Sequence, residues 1–205
     1  MSAAPDTIAP LRDFVAGMTR LVDRTNDEPT LVAEGRKLLS VLIASDGWLP
    51  EAFTVPNPTT YSQYLLYCDP LERFSVVSFV WGPGQKTPVH DHTVWGLVGM
   101  LRGAELCHEY EAQGDQVVSQ GHEHTLEPGM IDAVSPTIGD WHVVSNALAD
   151  QPSISIHVYG ANIGAVRRHM LDAASGEIRD FVSGYSSTVL PNLWDRSAQV
   201  RAQAI

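Results

Sequence analysis

The chain has 205 residues, 44% of them hydrophobic and 18% charged, and carries a formal net charge of −11 at pH 7. That is an ordinary globular balance with chain enough for one sizeable core, and it excludes bulk disorder. The acidic excess argues against nucleic acid and anionic membranes as partners, because both are gripped by basic patches. No apolar run approaches the roughly 18 residues that span a bilayer.

From the N-terminus, the stretch MSAAPDTIAPLRDF has no basic region followed by an apolar core and does not read as a secretory signal. Leu11, Phe14, Val15, Met18, Leu21 and Val22 then recur at helical spacing and form one apolar stripe. A second helix is predicted to open at Asp27-Glu28-Pro29, acidic residues and a proline suited to a first turn. It runs through Leu31, Leu38, Leu39 and Leu42 to a stop near Asp46-Gly47. Each helix offers a single apolar face, so both are expected to cover something else.

From about Tyr61 the period changes. Segments 74–81, 94–101, 104–110, 141–145 and Ser153–Tyr159 are short, rich in β-branched and aromatic residues, and punctuated by Gly, Pro, Asp and Asn. Many short strands at this spacing predict a sandwich or barrel, not a parallel α/β sheet. Beyond Tyr159 the pattern predicts a short helix near 165–173, one or two edge strands and a polar tail. With only Cys68 and Cys107, the chain lacks a disulfide framework. A reducing compartment and a cytoplasmic location follow as expectations.

Eight histidines are present, and their arrangement is informative. His90 and His92 are two apart, so in an extended segment both imidazoles leave one face and can share a metal ion. A second such pair, His122 and His124, lies in the polar stretch GHEHTLE, which reads as an exposed turn leading into a strand. Context separates the two. Gly84 stands six residues before His90-Asp91-His92, with Gly96 and Gly103 after it. Later come Gly129, Pro136 and Gly139-Asp140-Trp141-His142, then Asn146.

These two blocks resemble the paired signatures of the cupin superfamily, G-x5-H-x-H-x3,4-E-x6-G and G-x5-P-x-G-x2-H-x3-N. The second block here carries one extra residue on each side of its proline, and Gly96 stands where the first has glutamate. The resemblance implies a small jelly-roll β-barrel with His90, His92 and His142 meeting on one metal at its mouth. Without the carboxylate, a divalent ion there keeps its full charge and open positions, which favours an anionic donor followed by dioxygen. Imidazoles alone do not choose among iron, zinc, nickel and copper.

Ser155, His157 and Tyr159 alternate with Ile154, Ile156 and Val158. One reading is an outward polar face on a half-buried strand. The other is an inward line of hydroxyl, imidazole and phenol, each able to hydrogen-bond the next. Taken with the three histidines, this stripe resembles the thiol dioxygenases, the cysteine dioxygenase group of cupins. The resemblance implies Fe(II), a bound thiolate, insertion of both oxygen atoms into sulfur, and a Ser155-His157-Tyr159 relay beside the iron.

Two departures narrow the resemblance. The mammalian-type enzyme has a cysteine cross-linked to its active-site tyrosine where this chain has Gly96, so no thioether to Tyr159 is expected. It also has a Tyr-x-Arg whose arginine grips the cysteine carboxylate, where this chain reads Tyr61-Ser62-Gln63. A neutral amide cannot form that bidentate charged pair. The Gln-type pattern is similar to the bacterial 3-mercaptopropionate dioxygenases, with Tyr61, Gln63 and Arg168 as substrate-binding candidates. Arg168 is either the replacement carboxylate partner or a solvated arginine beside Arg167. The expected organisation is a single cupin domain over 1–205, with helices in 1–50, a barrel in about 60–160 and an extension in 161–205. The expected partners are a small thiol carboxylate and O2. Cysteine or cysteamine as substrate, a metal cupin of other chemistry, and a non-catalytic binding cupin remain open at this stage.

Overall fold

Both helices form where the apolar stripes recur. The computed structural model describes residues 8–187, apart from Asp115 and Ala173, so the first seven residues and the polar tail lie outside the described residues. Helix α1 is Ala9–Arg24 and helix α2 is Glu28–Leu42. Asp27 caps α2, its carboxylate accepting the Thr30 N–H at 3.0 Å, and Pro29 occupies the first turn where its missing N–H costs nothing.

The rest is mainly antiparallel β: β1 Ser62–Cys68, β2 Ser75–Trp81, β3 Gly96–Arg102, β4 Glu105–Gln113, β5 Gln116–Leu126, β6 Ile131–Val134, β7 Trp141–Asn146, β8 Ser153–Tyr159, β9 Arg168–Leu171 and β10 Ile178–Phe181. One sheet runs β1-β2-β8-β3-β6 and faces another running β5-β4-β7, with the β10-β9 pair beside them. Isolated bridges join Lys86 to Ser145, His90 to His142 and His90 to Met170. The irregular segment 86–90 therefore runs along β7 and links that sheet to β9. This is the small jelly-roll barrel the paired blocks imply, with two helices packed on its outside.

Strand β8 lies between two cores and is buried along its whole length. Ile154, Ile156 and Val158 join the helix-side cluster with Leu11, Met18 and Leu39. Tyr159 joins the barrel-side cluster with Phe79, Trp81, Met100 and Val144. Strand β2 divides in the same way, Val76 and Val80 outward and Val77, Phe79 and Trp81 inward. Helix α2 comes close to β3 because Gly99 has no side chain. A Cβ there would stand 3.0 Å from a Leu39 methyl.

Two expectations need correction. The helix near 165–173 is absent; a single 3-10 turn, Ile163–Ala165, leads into β9. Tertiary pairing overrides the local pattern there: Asp91 N–H donates to His169 O at 3.1 Å and Leu171 N–H to Val89 O at 2.9 Å. His122 and His124 lie within β5, not in a turn. An edge strand needs no buried face, so its polar sequence hid it; β4 pairing sets its register, His124 opposite Cys107.

The division of β8 makes a prediction. Ile156, fully buried on the helix side, should cost about 2–5 kcal/mol of stability when changed to Ala. Denaturant unfolding reads the loss. Metal bound per folded molecule should be unchanged, since the residues flanking Ile156 point into the barrel and it does not.

Candidate metal centre

The backbone brings the first two ligating side chains together. His90 N–H donates to His142 O at 3.1 Å and His142 N–H to His90 O at 3.0 Å, so these residues face each other across a reciprocal pair. His92 is delivered by Asp140. That carboxylate accepts the His92 N–H at 3.0 Å, its ring Nδ1–H at 2.9 Å and the Thr93 N–H at 2.8 Å. The clamp holds Thr93 at φ +59°, a left-handed conformation that a β-branched residue rarely adopts.

The three rings pack at centroid separations of 4.9, 4.9 and 4.8 Å, and their ligand nitrogens all lie within 4.8 Å of one another. Each Nδ1 is engaged behind the ring: His90 with Pro88 O at 3.1 Å, His92 with Asp140, His142 with Cys107 Sγ at 3.6 Å. The Nε2 atoms are left to converge, the second-sphere orientation that metal-binding imidazoles need. Burial, followed by the neighbouring imidazoles, holds His90 and His142 well below the usual histidine range, so both rings are neutral donors. The site fits a divalent metal ion.

Ser155, His157 and Tyr159 form one line on the inner face of β8. Ser155 Oγ is 2.7 Å from His157 Nε2, and His157 Nδ1 is 2.7 Å from the Tyr159 hydroxyl. All three are buried, which removes the outward-face reading. His157 stacks on Phe79 at 4.1 Å and Tyr159 on His92 at 5.4 Å, so the line ends against one of the three clustered imidazoles. Burial holds His157 well below its usual range and raises Tyr159.

A cavity of about 300 Å³ opens over the histidines and the relay, and Tyr61, Gln63 and Arg168 line it. Arg168 is 3% exposed, which removes the solvated alternative, whereas Arg167 is exposed and pairs with Asp180 at 3.1 Å. The Arg168 guanidinium donates to Ser183 Oγ at 2.7 Å and lies 4.6 Å over the Phe181 ring. Among the described residues no carboxylate is within salt-bridge reach of it. Gln63 also turns to this segment, its amide donating to Ser183 Oγ at 3.2 Å and Gly184 O at 2.9 Å. Its amide nitrogen thus holds the cavity wall. Tyr61 packs in a tilted arrangement against Trp81 at 4.7 Å.

Sequence reasoning missed several contributors. Asp140 sits inside the second block with nothing to mark it as the clamp of His92. Asp91, between the two histidines, accepts the His169 backbone N–H at 2.7 Å and meets its ring at 2.7 Å, tying β9 to the ligand segment. Ser183 and Phe181 reach Arg168 only through tertiary folding. Cys107, His124 and Asp132 form a second grouping with donor atoms within 4.8 Å. Its thiol is pushed up to about 12 by burial, and His124 is already closed on Asp132 at 2.5 Å, so it stands as a backing to His142.

No protein-family model matches the chain. Solved structures with similar shape include a protein with a double-stranded β-helix domain from Klebsiella pneumoniae, 20% identical, covering 56% of this chain and 89% of its own at a TM-score of 0.45. An RmlC-like cupin from Ralstonia eutropha is 15% identical over 62% of this chain and 70% of its own, with a TM-score of 0.42. A cupin superfamily protein from Desulfitobacterium hafniense is 12% identical over 56% and 90%, with a TM-score of 0.41.

Replacing His90, His92 or His142 with Ala should each abolish metal retention, measured by elemental analysis, while exposed His122→Ala leaves it intact. Asp140→Ala, which removes the clamp but no ligand, should weaken metal affinity by about 10–100-fold. Stability of the metal-free protein should also depend on pH. His90, His142 and His157 stay neutral when folded, whereas unfolded rings take up protons below about 6.5. The unfolded state then binds more protons, so stability is present above that pH and is lost as pH falls below it. The slope reaches about 1.4 kcal/mol per pH unit per ring, and denaturant unfolding between pH 7.5 and 5 measures it.

Proposed function

We propose that the chain is an Fe(II)-dependent thiol dioxygenase that converts 3-mercaptopropionate and O2 to 3-sulfinopropionate. The observation that carries this reading is one cavity holding three convergent imidazoles, the end of a Ser155-His157-Tyr159 relay and the buried cation of Arg168. Iron bound there would supply the centre at which thiolate and dioxygen meet. The reaction is balanced without a co-reductant: sulfur gives up four electrons, O2 accepts them, and both oxygen atoms end on sulfur.

The chain's own residues supply the rest. Arg168 offers a carboxylate a charge-assisted contact in a buried setting, the role its resemblance implies. Lys86 lines the same cavity, and among the described residues no aspartate or glutamate does. A cavity with two cations and no acid suits a thiol carboxylate without an amine and disfavours the ammonium of cysteine. Phe79, Trp81, Met170 and Phe181 keep its walls apolar, which strengthens both contacts. Tyr159, held by His157, can hand a hydrogen bond to the reacting group.

Oxygen uptake that depends on 3-mercaptopropionate, with a product two oxygen atoms heavier, is the expected result. Thiol-independent uptake, or higher kcat/KM on cysteine, would sink the assignment. Arg168→Ala should weaken substrate binding by about 1.5–3 kcal/mol, read as a raised KM. Tyr159→Phe and His157→Asn should each lower kcat with metal retained, and the double variant should be little worse than the poorer single one.

A further inference from the structure

Glu105 opens β4 and is 1% exposed, yet neither carboxyl oxygen has a hydrogen-bond partner. It faces the Ser155 hydroxyl and the Trp81 indole nitrogen without closing hydrogen-bond geometry on either, and that indole N–H is itself unpartnered. A fourth polar group thus stands behind the relay, at its Ser155 end. The groups around it are Cys107 on its own strand, Asp132 on β6 and His142 on β7, which share a small void with it, and Ser155 on β8. Among the described residues no Lys or Arg pairs with it. Burial, with a lesser contribution from Asp132, pushes Glu105 up to about 8, while Ser155 and Trp81 pull it down. A carboxyl buried to this degree, with no cation beside it and no donor closed on either oxygen, is held as the acid and has one O–H to donate.

Counting protons gives the relay a direction. A neutral imidazole carries one N–H, so two arrangements are self-consistent. If Ser155 donates to His157 Nε2, the ring proton sits on Nδ1 and is donated to the Tyr159 oxygen. The Tyr159 hydroxyl proton then points elsewhere. If Ser155 instead accepts from Nε2–H, Nδ1 becomes the acceptor and takes the Tyr159 proton. The group behind Ser155 decides between them: a donor selects the first, and an ionised carboxylate selects the second.

We propose that Glu105 is a positioning residue that donates a hydrogen bond to Ser155 and so points the whole relay at the metal cavity, leaving the Tyr159 proton free for the reacting group. Because it rests on reading the relay as a proton donor in turnover, it is best tested by a tautomer and not by a rate.

The full chain, labelled with 15N-histidine and loaded with Zn2+ as a diamagnetic probe, reports the protonated nitrogen of each ring by NMR at pH 6.5. The His157 signals are those lost in His157→Asn. The expected ring is Nδ1-protonated in the wild type and in Glu105→Gln, whose amide N–H replaces the acid O–H. In Glu105→Met, of similar length without a donor, the single tautomer should be lost. An Nε2-protonated ring in the wild type overturns the proposal, as does an unchanged Nδ1-protonated ring in Glu105→Met. Should Glu105→Met not fold, Ser155→Ala cuts the same link, and a ring that stays Nδ1-protonated there overturns it equally. The expected tautomers without any thiol turnover would support Glu105's role and tell against the dioxygenase reading alone.

Discussion

The reciprocal backbone pair between His90 and His142 fixes the distance between segment 86–90 and β7 and, with it, the place where three imidazoles meet. Segment 86–90 is too irregular to be a strand, yet its hydrogen bonds to β7 hold it as firmly as one. Everything polar nearby serves that seam. Asp140 turns His92 into place from the residue just before β7, and Asp91 ties the same segment to β9. Three buried imidazoles would cost stability if left unpartnered, since each has a polar nitrogen on both sides. The Nδ1 partners meet half of that demand, and a metal ion held between the rings would meet the other half.

Strand β8 makes the chemistry possible by separating it from the packing. Its outward residues carry the helices, and its inward residues carry the hydrogen-bonded line. Helices α1 and α2 contribute nothing to the cavity directly. They bury the outer face of the sheet and so hold β2, β3 and β8 rigidly from that side. A relay with two 2.7 Å contacts depends on that rigidity, because small displacements at either joint would break the chain of donors.

Much of this was legible in the sequence. The helices announced themselves by period, with Asp27 as the start signal, and the inner strands by β-branched and aromatic runs. His90, His92, His142 and the Ser155-His157-Tyr159 stripe were legible because spacing and context repeat a known pattern. What escaped was set by tertiary pairing. Strand β9 looked helical because its backbone partners, Val89 and Asp91, lie some eighty residues away. Strand β5 looked like a turn because an edge strand keeps a polar sequence. Glu105 gave no sign at all, as an acidic residue at a strand start is ordinarily solvated.

The absence of a glutamate ligand and the position of Tyr159 are one structural choice. Gly96 and Tyr159 are cross-strand partners on β3 and β8. A Cβ on Gly96 would stand 2.8 Å from Tyr159 Cδ1 and 3.0 Å from a Val134 methyl, so no side chain fits while the ring lies where it does. The same ring stacks on His92 and ends the line from His157. A carboxylate at position 96 would displace the phenol and neutralise part of the metal's charge at once. With glycine there, a metal ion held by the three histidines would keep its charge, and the phenol keeps its place beside it. Arg168 supplies a further cation in the same cavity, held by Ser183 and Phe181. On the proposed reading, a preference of the site for small anions would follow from what position 96 lacks as much as from the residues that line the cavity.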